Sequence, residues 1–222
     1  MRTPRRRPVF VHEYERAIVD EDASWRDADL VALDFEATGL DLTRDEVISY
    51  GMVPIRGGRV IVGEQDYSLV QPSHPVPGAS SRVHRIRNLD LADAPLANEI
   101  AARLITALSG RVLIAHAAWV EVAFLRRLFA LHGARWYTPV IDSAALARAL
   151  NLAPRIAARE PDLEALARGL GIPVHDPHHA LGDALTTAQV FLVLVAQLAR
   201  AHGPMDVGRL RNITREFPLL MS

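Results

Sequence analysis

Cysteine is absent from this 222-residue chain. That excludes disulfides, thiolate zinc sites, iron–sulfur clusters and cysteine nucleophiles. It fits a reducing compartment, so a cytoplasmic protein is expected. Lysine is absent too, since all 25 basic residues are arginine. Schiff-base chemistry and a lysine-bearing phosphate loop are therefore excluded. Net charge is low, at −1, which argues against gripping long duplex DNA by bulk positive charge but not against a small acidic site that handles a nucleic-acid end. The longest nearly uninterrupted apolar run, Val190 to Ala199, is short of the roughly 18 residues that span a bilayer, so no membrane crossing is expected. No apolar stretch follows the basic start, which argues against a secretory signal. Arg5, Arg6 and Arg7 read as a solvated terminus rather than a phosphate grip. What is present, 50% hydrophobic and 23% charged residues, suits one α/β domain with a substantial core.

Three segments are expected: an N-terminal arm over 1–24 with a short amphipathic helix near Val11 to Val19, a main domain over 25–202, and a weakly patterned tail over 203–222. The domain opens with strands at Asp29–Phe35 and Val47–Ile55. The turn Arg56-Gly57-Gly58-Arg59 leads into a third strand, Val60–Val70. A loop follows over Gln71–Ser81. Helical spacing marks Ala97–Leu108, Val120–Leu131, Ala144–Leu150, Leu163–Leu170 and Asp183–Ala201. Val112–Ala115 and Val140-Ile141 are short strands, and Asp142-Ser143 is positioned to cap the helix after it. A hairpin followed by strand–helix alternation predicts a mixed sheet flanked by helices.

Three features carry chemistry. Asp34 and Glu36 alternate along the first strand and so share a face. They read either as a solvated strand end or as hard oxygen ligands for Mg²⁺ or Mn²⁺. Glu121 opens a helix after His116. It reads equally as a carboxylate favoured by the helix dipole or as a metal ligand. His175-Asp176-Pro177-His178-His179 precedes Asp183, itself at a helix start. The histidines could bind zinc, lie solvated, or supply one catalytic base. Phe35 and Trp119 could stack on a terminal base or pack in the core.

Leu33-Asp34-Phe35-Glu36-Ala37-Thr38-Gly39, His116 to Leu125, and His178 five residues before Asp183 together resemble the three motifs of the DEDDh 3′–5′ exonuclease family. The branch is the one related to the epsilon proofreading subunit of bacterial DNA polymerase III, and the resemblance covers roughly Asp29 to Leu198. It implies a ribonuclease H-like fold and two Mg²⁺ or Mn²⁺ ions held by Asp34, Glu36, Glu121 and Asp183. His178 would take a proton from the attacking water, and the product would be a nucleoside 5′-monophosphate. Phe35, Ala37, Thr38, Gly39, His84, His116 and Trp119 would contact substrate. The partner would be the 3′ end of a nucleic acid, single-stranded DNA first, with an RNA-trimming enzyme or a degenerate scaffold subunit as alternatives. The family admits association with a polymerase, although the tail carries no clear clamp-binding peptide. Three departures stand out: Glu121 replaces aspartate, Ala117 replaces asparagine, and His84-Arg85-Ile86 replaces His-Gly-Ile. Arg82, Arg85 and Arg87 are candidates for phosphate contacts.

Overall fold

A computed structural model describes residues 7–153 and 160–216. Strand β1 (Leu30–Ala37) lies at the centre of a mixed sheet, antiparallel to β2 (Val47–Arg56) and parallel to β5 (Val112–Ala115). Strand β6 (Val140–Asp142) continues the parallel side, while β3 (Arg59–Val60) and β4 (Asp66–Leu69) both pair antiparallel with β2. Because strand side chains alternate, β1 feeds two cores. Leu30 and Ala32 pack into one, and Val31, Leu33 and Phe35 into the other.

The first core is roofed by α6 (Ser143–Ala149), α7 (Leu163–Gly169), α8 (Ala180–His202) and α9 (Val207–Glu216). The second is roofed by α1 (Val9–Arg16), α4 (Ala97–Ala107) and α5 (Trp119–Ala130). Two further helices, α2 (Gly78–His84) and α3 (Asn88–Leu91), sit on a small apolar cluster of Ile48, Val76, Ile86 and Leu91. The expected mixed sheet with flanking helices is the observed one.

Four expectations are corrected. The strand expected over 60–70 is interrupted by a 3₁₀ turn at Val62–Glu64, which divides it into β3 and β4 on separate stretches of β2. The loop expected over 71–81 turns helical at Gly78. The tail contains α9, whose Val207 and Leu210 are fully buried and whose start is fastened by the Arg209 N–H donating to Asp206 Oδ1 at 2.7 Å. The arm is also anchored, since Val11 and Tyr14 of α1 are core residues and Arg7 pairs with Glu15. Arg5 and Arg6 lie outside the described residues. Helix α8 is long and apolar enough by composition to cross a membrane, but Ala184, Ala188, Phe191 and Val195 are wholly buried in the first core.

Two glycines set how this frame meets the chemistry. Gly51 lies opposite Asp34 in the β1–β2 register. A Cβ there would come within 2.3 Å of Leu181 Cα, so only glycine lets the start of α8 descend onto β2 at the level of Asp34. A Cβ on Gly182 would meet the His175 carbonyl oxygen at 2.2 Å, so a second glycine seats the histidine loop against the same helix start.

Candidate active site

Asp34 and Glu36 leave β1 on one face, and Asp183 joins them from the first turn of α8. Each of the three offers a carboxylate oxygen within 4.8 Å of the others, and all three side chains are partly buried. Crowding acids away from water favours their protonated forms. Burial and then the charges of Glu121, Asp183 and Glu36 push Asp34 well above the usual carboxylate range. Burial and then Asp183 raise Glu36 to about 7. Burial raises Asp183 to about 6, against the pull of the His178 N–H, which donates to Asp183 Oδ2 at 3.0 Å.

Glu121, 4% exposed, stands outside that three-acid set, although its charge acts on Asp34. Burial pushes its carboxyl well up, and the charges of Asp142 and Glu36 add to this. Its Oε2 is buried with no hydrogen-bond partner among the described residues. An orphaned carboxylate oxygen beside three converging acids fits a divalent cation, which would supply the missing partner and neutralise the cluster. Asp142 behaves as a cap: its Oδ1 accepts from the Ala144 N–H at 2.9 Å and the Ala117 N–H at 3.1 Å. Thr214 of α9 in turn accepts the Asp142 N–H at 3.0 Å, so the tail buttresses the end of β6.

His178 is exposed on the loop before α8 and has a left-handed backbone, φ 60°. Its Nε2 lies 3.8 Å from Glu164 Oε1 on α7. His179, the other histidine at this point, is stacked face to face on Tyr67 with ring centroids 4.6 Å apart. His175 Nε2 is engaged with Gln189 Oε1 at 3.1 Å. Among the described residues these histidines do not enter the group that could hold a metal ion.

Several expected substrate contacts are engaged within the protein. Phe35 points into the second core, edge-on to Phe124 at 6.3 Å, because alternation along β1 places it opposite Asp34 and Glu36. It is a packing residue rather than a stacking platform. His116 donates from Nε2 to the Pro161 carbonyl at 2.6 Å and its Nδ1 is hydrogen-bonded with Ser143 Oγ at 2.9 Å, so both ring nitrogens are committed and burial lowers its pKa. Trp119 Nε1 donates to Glu160 Oε1 at 3.1 Å, and Glu160 also pairs with buried Arg148. These bonds fasten the 160–162 segment over the start of α5, a structural role for His116 and Trp119. Thr38 donates to Asp45 Oδ1 at 2.7 Å and accepts from the Glu46 N–H at 3.0 Å, bracing the turn after β1. Gly39 leaves room there for the Asp45 carboxylate, since a Cβ would fall 2.4 Å from Asp45 Oδ2 and displace that side chain. Ala37 sits at the register shift that ends β1, beside the carboxylates. His84 is 5% exposed and borders a cavity of about 270 Å³ together with Tyr67, Arg85 and His178. Its Nδ1 accepts from the Ile86 N–H at 3.1 Å, and its Nε2 has no partner among the described residues.

Sequence reasoning missed Gly51, Gly182, Tyr67 and Glu164. Glu164 reads in sequence as an ordinary helix partner of Arg168 four residues on, a bond it does make. Its approach to His178 exists only in three dimensions.

Ala117 adopts φ 57°, a left-handed conformation that penalises a Cβ and that asparagine tolerates better. Ala117→Asn is therefore expected to raise unfolding free energy by about 1 kcal/mol, read from urea melts. A fall in stability would contradict this.

A family model described as exonuclease matches residues 31–191. A DNA polymerase III subunit epsilon-like protein of Rhodobacter capsulatus is 37% identical over 194 residues, covering 86% of this chain and 27% of that protein. The DNA polymerase III PolC-type of Thermotoga maritima is 33% identical over 82% of this chain and 13% of its own length. The chain thus spans only about a quarter or less of these longer relatives. A DNA polymerase III subunit epsilon of Aquifex aeolicus, 25% identical, is covered over 91% of its length. Among solved structures, E. coli exonuclease I in complex with a dT13 oligonucleotide superposes with a TM-score of 0.67 at 16% identity, over 78% of this chain and 42% of that one. Exonuclease X in complex with 5′ overhanging duplex DNA gives 0.64 at 21% identity, over 83% and 99%.

Proposed function

Because the chain belongs to the exonuclease family, we propose that it hydrolyses phosphodiester bonds at the 3′ ends of DNA, releasing nucleoside 5′-monophosphates with two divalent ions, Mg²⁺ or Mn²⁺. The observation that carries this reading is the convergence of Asp34, Glu36 and Asp183 beside Glu121, whose buried Oε2 has no partner among the described residues. Divalent cations at such a site supply an activated water and stabilisation of the leaving 3′ oxygen. The chain's own residues do the rest. Asp34, Glu36, Asp183 and Glu121 hold the ions. His178, exposed on the loop five residues before Asp183, takes the proton of the attacking water at a ring nitrogen. The His178 peptide N–H fixes Asp183 Oδ2, which ties the base to a metal ligand.

A scaffold without catalysis is the weaker reading, since raised carboxylates in one cluster cost stability and return nothing without a cation. RNA trimming is also weaker, because the relatives carry DNA polymerase III names and the solved neighbours hold DNA. Matched single strands of one sequence test this: turnover faster on DNA than on RNA is expected, and the reverse order would favour the RNA enzyme. The relatives' names support a polymerase as partner, and the cysteine-free composition supports a cytoplasmic location.

Of the three candidate arginines, Arg87 is already paired: its Nε and an Nη donate to Asp90 at 3.0 and 2.7 Å. Arg85 is exposed at the end of α2, at φ 62° where the family motif has glycine, and lines the cavity beside His84 and His178. Arg85→Ala is expected to weaken single-strand binding and to reduce the salt slope by about 0.7. Arg87→Ala should leave the slope unchanged, because Asp90 already offsets its charge. Equal slopes for both variants would remove Arg85 from the phosphate path.

A further inference from the structure

His178 occupies a conformation that does not hold itself. A left-handed backbone at a residue with a Cβ costs about 1–2 kcal/mol, and Asp176, two residues earlier, is also at positive φ, 34°. Such strain persists only where neighbours over-determine it. On one side the loop is fixed by the seating of Gly182 and by the His178 N–H bond to Asp183. On the other it borders the cavity of about 270 Å³ lined by Tyr67, Leu69, Ile86 and Pro177. Close packing therefore does not hold that side, and the loop has room to shift into it. One ring contact among the described residues bridges it: the His179 ring lies flat on Tyr67 of β4, with centroids 4.6 Å apart and an interplanar angle of 24°. Strand β4 is hydrogen-bonded to β2, with Tyr67 opposite Gly51 in register, and Gly51 is opposite Asp34 on the other side. The stack thus refers the loop to the same three-strand rung that carries a metal-ligand candidate.

We infer that the Tyr67–His179 stack is the device that positions His178, making Tyr67 and His179 positioning residues for the general base. The inference rests on the exonuclease reading. Neither residue touches the bond being broken. Each fixes the loop from which the His178 ring reaches the water. A shift of about 1 Å in a reacting group costs up to a hundredfold in rate, so a single aromatic contact is enough to matter.

The test is a double-mutant cycle on the full chain with Mn²⁺ and single-stranded DNA. Tyr67→Ala and His179→Ala should each lower kcat about tenfold, with KM and calorimetric Mn²⁺ affinity within about twofold of wild type. Tyr67→Phe and His179→Phe, which keep the stack, should restore kcat. In a His178→Ala background neither alanine should lower kcat further. His179→Ala serves alone if Tyr67→Ala fails to fold. An active wild type whose alanine variants keep full kcat, or lose it equally in the His178→Ala background, overturns the inference alone. An inactive wild type overturns the exonuclease reading, and the inference with it.

Discussion

Asp34→Asn is expected to abolish metal-dependent hydrolysis and, at the same time, to stabilise the metal-free protein. The first effect follows from position: Asp34 is the acid on which the charges of Glu121, Asp183 and Glu36 all bear. Removing a carboxylate that holds a catalytic ion forfeits several kcal/mol of transition-state stabilisation, a loss of about a thousandfold or more in kcat/KM. The second effect follows from the same crowding. Asparagine is close to isosteric and uncharged, so the like-charge repulsion disappears and only a hydrogen-bonding amide must be accommodated. Thermal melts in EDTA should therefore show a higher Tm for the variant than for wild type. Adding Mn²⁺ should close the gap, because only the intact site gains from the ion. A variant that loses both activity and stability would mean that Asp34 supports the fold instead of the chemistry.

Raising the pH from 6 to 8 is expected to lower the Tm of the metal-free protein by about 5–10 °C. The sign comes from proton linkage. Glu36 titrates near 7, Asp183 and Asp142 near 6, and Asp34 and Glu121 higher than an ordinary carboxylate. In the unfolded chain such groups lose their protons near pH 4. Between that value and the folded pKa the native state holds protons that the unfolded state has released, so stability falls as pH rises. The stabilisation from these groups is complete below about pH 4 and is lost as pH passes through the folded values. Mn²⁺ should reverse the trend, binding more tightly at pH 8 than at pH 6, because protons compete with the ion for the same oxygens. A Tm in EDTA that rises from pH 6 to pH 8 would contradict this account of the cluster.

Much of the site was legible in the sequence for a simple reason. Asp34 and Glu36 are two apart on a strand, and Asp183 starts a helix that follows a histidine loop. Local periodicity therefore fixes their faces before any tertiary contact is known. Asp142 was legible as a cap on the same grounds. What was not legible depends on contacts between distant segments. Nothing in the isoleucine- and valine-rich run of β2 marks Gly51 as the point where the start of α8 touches down, since the neighbour that requires glycine lies at Leu181. His116 looked available because the atoms that satisfy its ring, Ser143 Oγ and the Pro161 carbonyl, come from later in the chain. Phe35 was left open between stacking and packing: alternation along β1 turns it away from Asp34 and Glu36, but only the fold shows that Phe124 of α5 packs against it on that face. Helix α9 escaped notice because its buried face is narrow: Val207 and Leu210 are buried in a segment that is otherwise mostly polar.

The central claim is that these four acids and one histidine cut nucleic acid from its 3′ end. Its most direct test is a time course on a 5′-labelled single strand with Mn²⁺, with wild type and Asp183→Asn run side by side. A ladder that shortens one nucleotide at a time from the 3′ end in wild type, with intact strand in the variant, is the expected result. Internal cuts, release of label as a mononucleotide before any ladder forms, or equal ladders from both proteins would contradict it.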